Sequence, residues 1–188
     1  MGIYRVTSQA TGNVGTGPFV NVMHIQPASD ALADVQAAVD VIRDFYTTIR
    51  VIYDVGTFWT IGSRVLRVDV NPDEITPVTP RGVQGSGTGG SAAPQLAQVV
   101  SWRTPLAGRS FRGRTYLGPL AQGAIANSQL ASAASTAVIA GITPLVTASI
   151  IGVYSQWDHK VKRPVPLFTK ITQGATSANL ETQRRRAS

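Results

Sequence analysis

The sequence predicts an α+β fold that is antiparallel, rich in sheet and built around two principal helices. Three observations predict it. Seven apolar residues recur at helical spacing between 32 and 53. Short alternating runs rich in β-formers flank that stretch, and an Ala-rich apolar segment follows Asn127-Ser128.

Taken in order, Gly2–Ala10 and Pro18–Gln26 alternate and carry Ile3, Val6, Phe19, Val20, Val22 and Ile25. The turn-forming residues 11–17 between them predict a hairpin with a long loop. Pro27-Ala28-Ser29-Asp30 announces a helix with Ser29 or Asp30 as its N-cap. Leu32, Val35, Val39, Ile42, Tyr46, Ile49 and Tyr53 then step by three, four, three, four, three and four, one stripe of a helix. Asp30, Asp34, Asp40 and Asp44 toward its start, with Arg43 and Arg50 toward its end, suit the helix dipole. Three heptads of coiled coil would fit the spacing, but e/g charge pairs are few, which favours a helix laid on a sheet.

Thr57–Ile61 and Arg64–Val70 predict two strands turning at Gly62-Ser63 and ended by Asn71-Pro72-Asp73-Glu74. Residues 77–94 are rich in Pro, Gly, Ser and Thr and predict a flexible linker or long surface loop. Beyond it Gln95–Arg103 and Ser110–Leu117 read as strands. Asn127-Ser128 caps a second helix with the stripe Leu130, Ala134, Ala137/Val138, Gly141 and Leu145, which Pro144 kinks or ends. Ile150–Gln156 and Val165–Thr172 are further strands, and residues 175–188 form a polar C-terminal arm. Each half thus runs strand, strand, helix, strand. Their residues do not align, so two similar halves stay open as an alternative within a single structural unit of residues 1–188.

Composition narrows the function. Hydrophobic residues make up 43% of the chain, but charged residues only 14%, against roughly 25% in soluble domains. A charge-poor surface suits a subunit enclosed by neighbours, because interface cores are depleted in charge; a neutral monomer coated with Ser and Thr is the competing account. Cysteine is absent, which excludes disulfides, thiolate metal sites and thiol nucleophiles. The first residues do not fit a signal peptide, and Val6 breaks the myristoylation pattern. Residues 1–80 carry five basic and eight acidic groups, residues 81–188 twelve and two, so the net +7 resides in the second half. Such asymmetry can steer subunits head to tail or aim the second half at nucleic acid.

Candidate chemistry is sparse. Gly85-Ser86-Gly87-Thr88-Gly89-Gly90 satisfies G-x-G-x-x-G, but Pro94 interrupts a helix start and the later acid is missing, so it reads as linker. The two histidines, His24 and His159, stand in an apparent strand and in a turn, and no carboxylate sits at metal-ligand spacing from either. The sequence therefore predicts no enzyme, no cofactor and no metal. Thr115–Trp157 holds no charge, and Ala133–Tyr154 is long enough to span a bilayer, yet its many Ser, Thr, Gly and Pro residues favour a buried helix and strand.

The richest segment is Arg103 to Pro119. In a strand, Arg112, Arg114 and Tyr116 share one face and Phe111, Thr115 and Leu117 the other. With Arg103 and Arg109 nearby, the first face suits three roles: phosphate contact with base stacking, a neighbouring subunit's carboxylates, or a solvated surface. Arg184, Arg185 and Arg186 add a short basic tail, enough for salt-dependent phosphate contacts and too little to package a genome.

Gln98–Arg103 with Gly108–Leu117, and the chain end Thr182-Gln183-Arg184-Arg185-Arg186, resemble a pattern in small bacteriophage virion proteins. The resemblance implies a non-catalytic capsid, decoration, neck or tail subunit. Such a subunit is assembled in the host cytoplasm into the virion, beside copies of itself and other virion proteins. Nucleic acid is the alternative partner and membrane the weakest. The resemblance implies no catalytic residue.

Overall fold

The computed structural model describes residues 1–11, 19–70, 74–87, 97–106, 109–117, 120–121, 123–126, 129–130, 132–147, 154–155 and 168–172. Alternation builds the first sheet. β1 (Tyr4–Thr11) and β2 (Phe19–Ile25) pair antiparallel, with Tyr4 opposite Ile25 and Ala10 opposite Phe19. Their buried positions alternate as the sequence does: Tyr4, Val6, Ser8 and Ala10 face the interior with Phe19, Asn21, Met23 and Ile25.

The other edge of β1 takes β3 (Phe58–Arg67), also antiparallel. Two strands turning at Gly62-Ser63 were the expectation; the structure has one strand with a bulge there. Thr7 lies opposite Arg64 and Ser8 opposite Ile61, so Gly62 and Ser63 are extra residues. Gly62 adopts φ 72°, and Ser63 Oγ donates to the Thr7 carbonyl at 3.2 Å. Both flanking segments find the same partner strand, which is why no chain reversal occurs.

On the far edge of β3 lie β4 (Glu74–Ile75) and β5 (Arg81–Gln84). β5 falls inside the stretch whose composition predicts a linker, and the residues after it are also bound into the fold. The backbone N–H groups of Gly85, Ser86 and Gly87 donate to the carbonyls of Thr57, Arg50 and Tyr53. A Cβ on Gly85 or Gly87 would stand 2.2 Å from the carbonyl oxygen of Asp54 or Tyr53. The glycines thus allow one backbone to lie directly on another, which composition alone reads as looseness.

α1 (Leu32–Ile49) crosses this sheet's inner face. Val35, Val39, Ile42, Tyr46 and Ile49 are buried as the stripe predicts, and Tyr53 is buried beyond the helix end. Leu32, by contrast, is exposed, and Ala38 and Phe45 are buried off the stripe. The reason is α2 (Ser132–Thr147), which packs on a second face of α1. A Cβ on Gly141 would meet Ile49 Cγ2 at 2.8 Å and Phe45 Cδ2 at 3.1 Å, so the helices touch closely there. Ala134, Val138, Gly141 and Leu145 are buried as expected. Leu130, expected on the same stripe, lies instead in the two-residue strand Gln129–Leu130, so the helix begins at Ser132 rather than at Asn127-Ser128 and continues past Pro144 to Thr147. Burying a side chain the size of Phe45 or Ile49 stabilises the fold by about 1.5–3 kcal/mol.

The expected N-cap is not used. Ala31 holds the N-cap position, with no side-chain cap bond. Ser29 Oγ donates to Asp34 at 2.5 Å, while Asp30 accepts from the Gly2 N–H, from Tyr4 Oη at 3.4 Å and from Arg67 at 3.1 Å. Asp30 therefore ties down the N-terminal strand. The dipole pattern is likewise partial: Asp34 is in the first turn, but the last turn holds no basic residue, because Arg50 falls in the 3-10 turn Arg50–Ile52.

The second sheet repeats the first in outline. β6 (Ala97–Leu106) pairs β7 (Arg109–Leu117) antiparallel along its length, from Gln98 opposite Leu117 to Leu106 opposite Arg109. After β8 (Ile125–Ala126), β9 (Gln129–Leu130) and α2, β10 (Tyr154–Ser155) and β11 (Phe168–Thr172) return antiparallel to β6. Each half therefore has its first strand central, its second beside it in a hairpin, and its post-helix strand on the other side. Equivalent elements also meet, α1 on α2 and β2 beside β7. The α+β class and antiparallel pairing stand as the sequence predicts.

Candidate interaction surfaces

The β6–β7 hairpin carries most of the residues singled out from the sequence. Its register sets Arg103 directly opposite Arg112, Ser101 opposite Arg114, and Val99 opposite Tyr116. Residues opposite one another in a ladder share a face, as do residues two apart along a strand. Positions 103, 112, 114 and 116 therefore lie on one face of the hairpin. The opposite face of β7 turns inward at Thr115 and Leu117, which are fully buried, while half-buried Phe111 stacks on His24 with ring centroids 4.6 Å apart.

Arg103 joins this face through the hairpin register, which spacing along a single strand does not reveal. Arg109 departs from it. It is exposed at the start of β7, opposite Leu106, and alternation places it on the Phe111 face. Arg184, Arg185 and Arg186 lie outside the described residues, as do the rest of the arm 175–188 and His159.

Sequence reasoning missed two further cations. Arg5 and Arg64 sit on the face of the first sheet turned away from α1, Arg5 opposite Leu66 and Arg64 opposite Thr7. Their alternation with buried Tyr4, Val6 and Val65 was the available signal. Among the described residues neither Arg5, Arg64 nor Arg109 forms an ion pair.

His24 is held by a ring stack and a cationic neighbour. It pairs across the ladder with Arg5 and is largely buried against Phe111. Burial, and secondarily the Arg5 charge, lowers its pKa from 6.5 to about 4, so it is neutral at physiological pH. Among the described residues no cluster of three His, Asp or Glu side chains could hold a metal. No helix among them is long and apolar enough to cross a membrane; α2 spans 16 residues.

Most carboxylates are engaged within the chain. Arg67 reaches both Asp30 and Asp69 at 3.1 Å, Arg81 meets Asp40 at 2.7 Å, and Arg43 meets Asp44 at 2.6 Å. The Arg81 contact holds the Asp40 pKa below its usual range. Asp34 accepts from Ser29, and buried Asp54 accepts from the Gly56 N–H at 3.2 Å.

A second, apolar surface lies beside β5. Val51, Val55 and Phe58 are 55%, 45% and 44% exposed. They stand on the segment that residues 84–87 bind: Gln84 Nε2 donates to the Val55 carbonyl at 3.2 Å, and the Phe58 ring lies over Gly82. β5 pairs with β3, and no other described strand pairs with it. Comparison with protein-family models, curated proteins and solved structures returns no match.

Proposed function

We propose that this chain is a non-catalytic structural subunit that acts by homo-oligomeric assembly, in a bacteriophage particle. The observation that carries the reading is the Val51–Val55–Phe58 surface at the outer end of the first sheet, next to the open strand β5. Three exposed apolar side chains on one short segment, in a chain with 14% charge, suit burial against a neighbour. A second copy can add main-chain hydrogen bonds along β5 while covering Phe58. Pro77 and Pro80 restrict how far that edge extends, which favours a short, registered contact. The particle is proposed on the resemblance of the β6–β7 hairpin and the Gln183–Arg186 run to phage virion proteins. The neutral, stacked His24 supports the non-catalytic part.

Light scattering in about 0.5 M salt, where the Debye length falls to a few Å, tests the reading. The wild-type chain is expected to remain oligomeric under these conditions, and Phe58→Asp to shift it to monomer with its fold intact by circular dichroism. A wild-type chain that is monomeric at all working concentrations overturns the proposal.

A further inference from the structure

We infer that the Arg103/Arg112/Arg114/Tyr116 face of the β6–β7 hairpin is a binding surface for single-stranded nucleic acid. The first reason is its internal cost. Arg103 lies directly opposite Arg112, and like charges at facing ladder positions repel. Arg114 continues the same face one pleat along. The register thus sets three arginine positions on one face, and a bound anion would offset the cost of that arrangement.

The second reason is where that anion can come from. No acidic residue occurs between Glu74 and Asp158, a stretch that includes β5, β6, β7 and α2. Among the described carboxylates, Asp30 and Asp69 are paired with Arg67, Asp40 with Arg81 and Asp44 with Arg43, while Asp34 accepts from Ser29. Among the described residues Glu74 is the one carboxylate with no hydrogen bond or ion pair. Among the described residues, a second copy of this chain therefore has few unpaired carboxylates to offer these arginines. On α1, Asp40 and Asp44 are both held in ion pairs, and Asp34 is held by Ser29.

The third reason is geometry. Facing positions on a ladder stand about 5 Å apart and alternate positions on a strand about 7 Å apart. These positions follow one another along the ladder, with the Tyr116 position, opposite Val99, at the end of the series. Guanidinium groups suit phosphate oxygens, and an aromatic ring offers a base a stacking surface without regard to sequence. Arg5 and Arg64, on the outer face of the first sheet, add to the positive field that draws a polyanion in.

Fluorescence anisotropy of the full-length chain with a labelled 20-nucleotide oligothymidylate, titrated between about 50 and 200 mM salt, tests this. Log affinity is expected to fall linearly with log salt. Arg103→Ala, Arg112→Ala and Arg114→Ala should each reduce the slope by about 0.7. Tyr116→Leu should weaken binding by roughly ten-fold while leaving the slope unchanged. Arg43→Ala, on α1, should alter neither. Absence of binding at 50 mM salt, or a slope that the hairpin variants do not change, overturns the inference. Displacement of the oligonucleotide by polyglutamate at equal charge concentration would also overturn it, reassigning the face to an acidic protein. The Phe58→Asp variant is expected to keep the salt slope, so failure of assembly and failure of this inference are told apart.

Discussion

His24 shows how one side chain joins the two halves and sets a pH limit on the fold. It stands on β2 opposite Arg5 and stacks on Phe111 of β7, so protonation would place a cation beside Arg5 in a largely dry site. Its folded pKa is about 4, against 6.5 unperturbed. Below pH 6.5 the unfolded chain takes up a proton that the folded chain refuses. Stability is then greatest above pH 6.5 and is lost as pH falls toward 4, by up to about 3 kcal/mol. The depressed carboxylates Asp30, Asp40 and Asp69 act in a lower window, losing their contribution only as pH falls below the ordinary carboxylate range. Melting temperature measured from pH 7 to 4.5 is expected to drop for the wild type and to drop distinctly less for His24→Gln. Equal slopes for the two chains would show that His24 is not held neutral.

Elements differ in how openly the sequence declares them. α1 was legible because five stripe residues within it meet the interior at helical spacing, and its single-face pattern is strong. Ala38 and Phe45 were not legible, because they face α2, and the periodicity of one helix carries no information about a partner in the other half of the chain. β5 was hidden for a different reason. Its Pro- and Gly-rich surroundings read as linker, whereas pairing with β3 and the Arg81–Asp40 contact hold it in place. At the candidate site, alternation alone put Arg112, Arg114 and Tyr116 on one face; adding Arg103 required the hairpin register. The α1–α2 contact offers a direct check. Gly141→Val should lower the melting temperature by about 4–12 °C, as expected for overpacking of roughly 2–3 kcal/mol in a chain of this size. Ile49→Ala in the same chain should recover part of the loss, since the two sites share one contact. Strictly additive losses would mean that the helices do not meet there.

Across the whole molecule, two strand–strand–helix–strand units meet through α1 and α2 and through β2 and β7, and their surfaces divide the work. Asp30, Asp40, Asp44 and Asp69 are ion-paired within the first half, arginine positions share a face of the β6–β7 hairpin, and Val51, Val55 and Phe58 lie exposed at the outer end of the first sheet. That division supports a subunit joined to its neighbours by apolar contact and strand edges, with its arginine face left for a polyanion. Assembly is the central claim, and backbone amide exchange tests it most directly. Exchange is compared at a concentration where the chain is oligomeric and at high dilution. Assembly through the proposed surface predicts that amides of residues 51–58 and 81–87 slow on association, while those on the exposed side of α1 near Asp44, Thr47 and Thr48 do not change. Identical exchange at both concentrations, or slowing confined to α1, would contradict it.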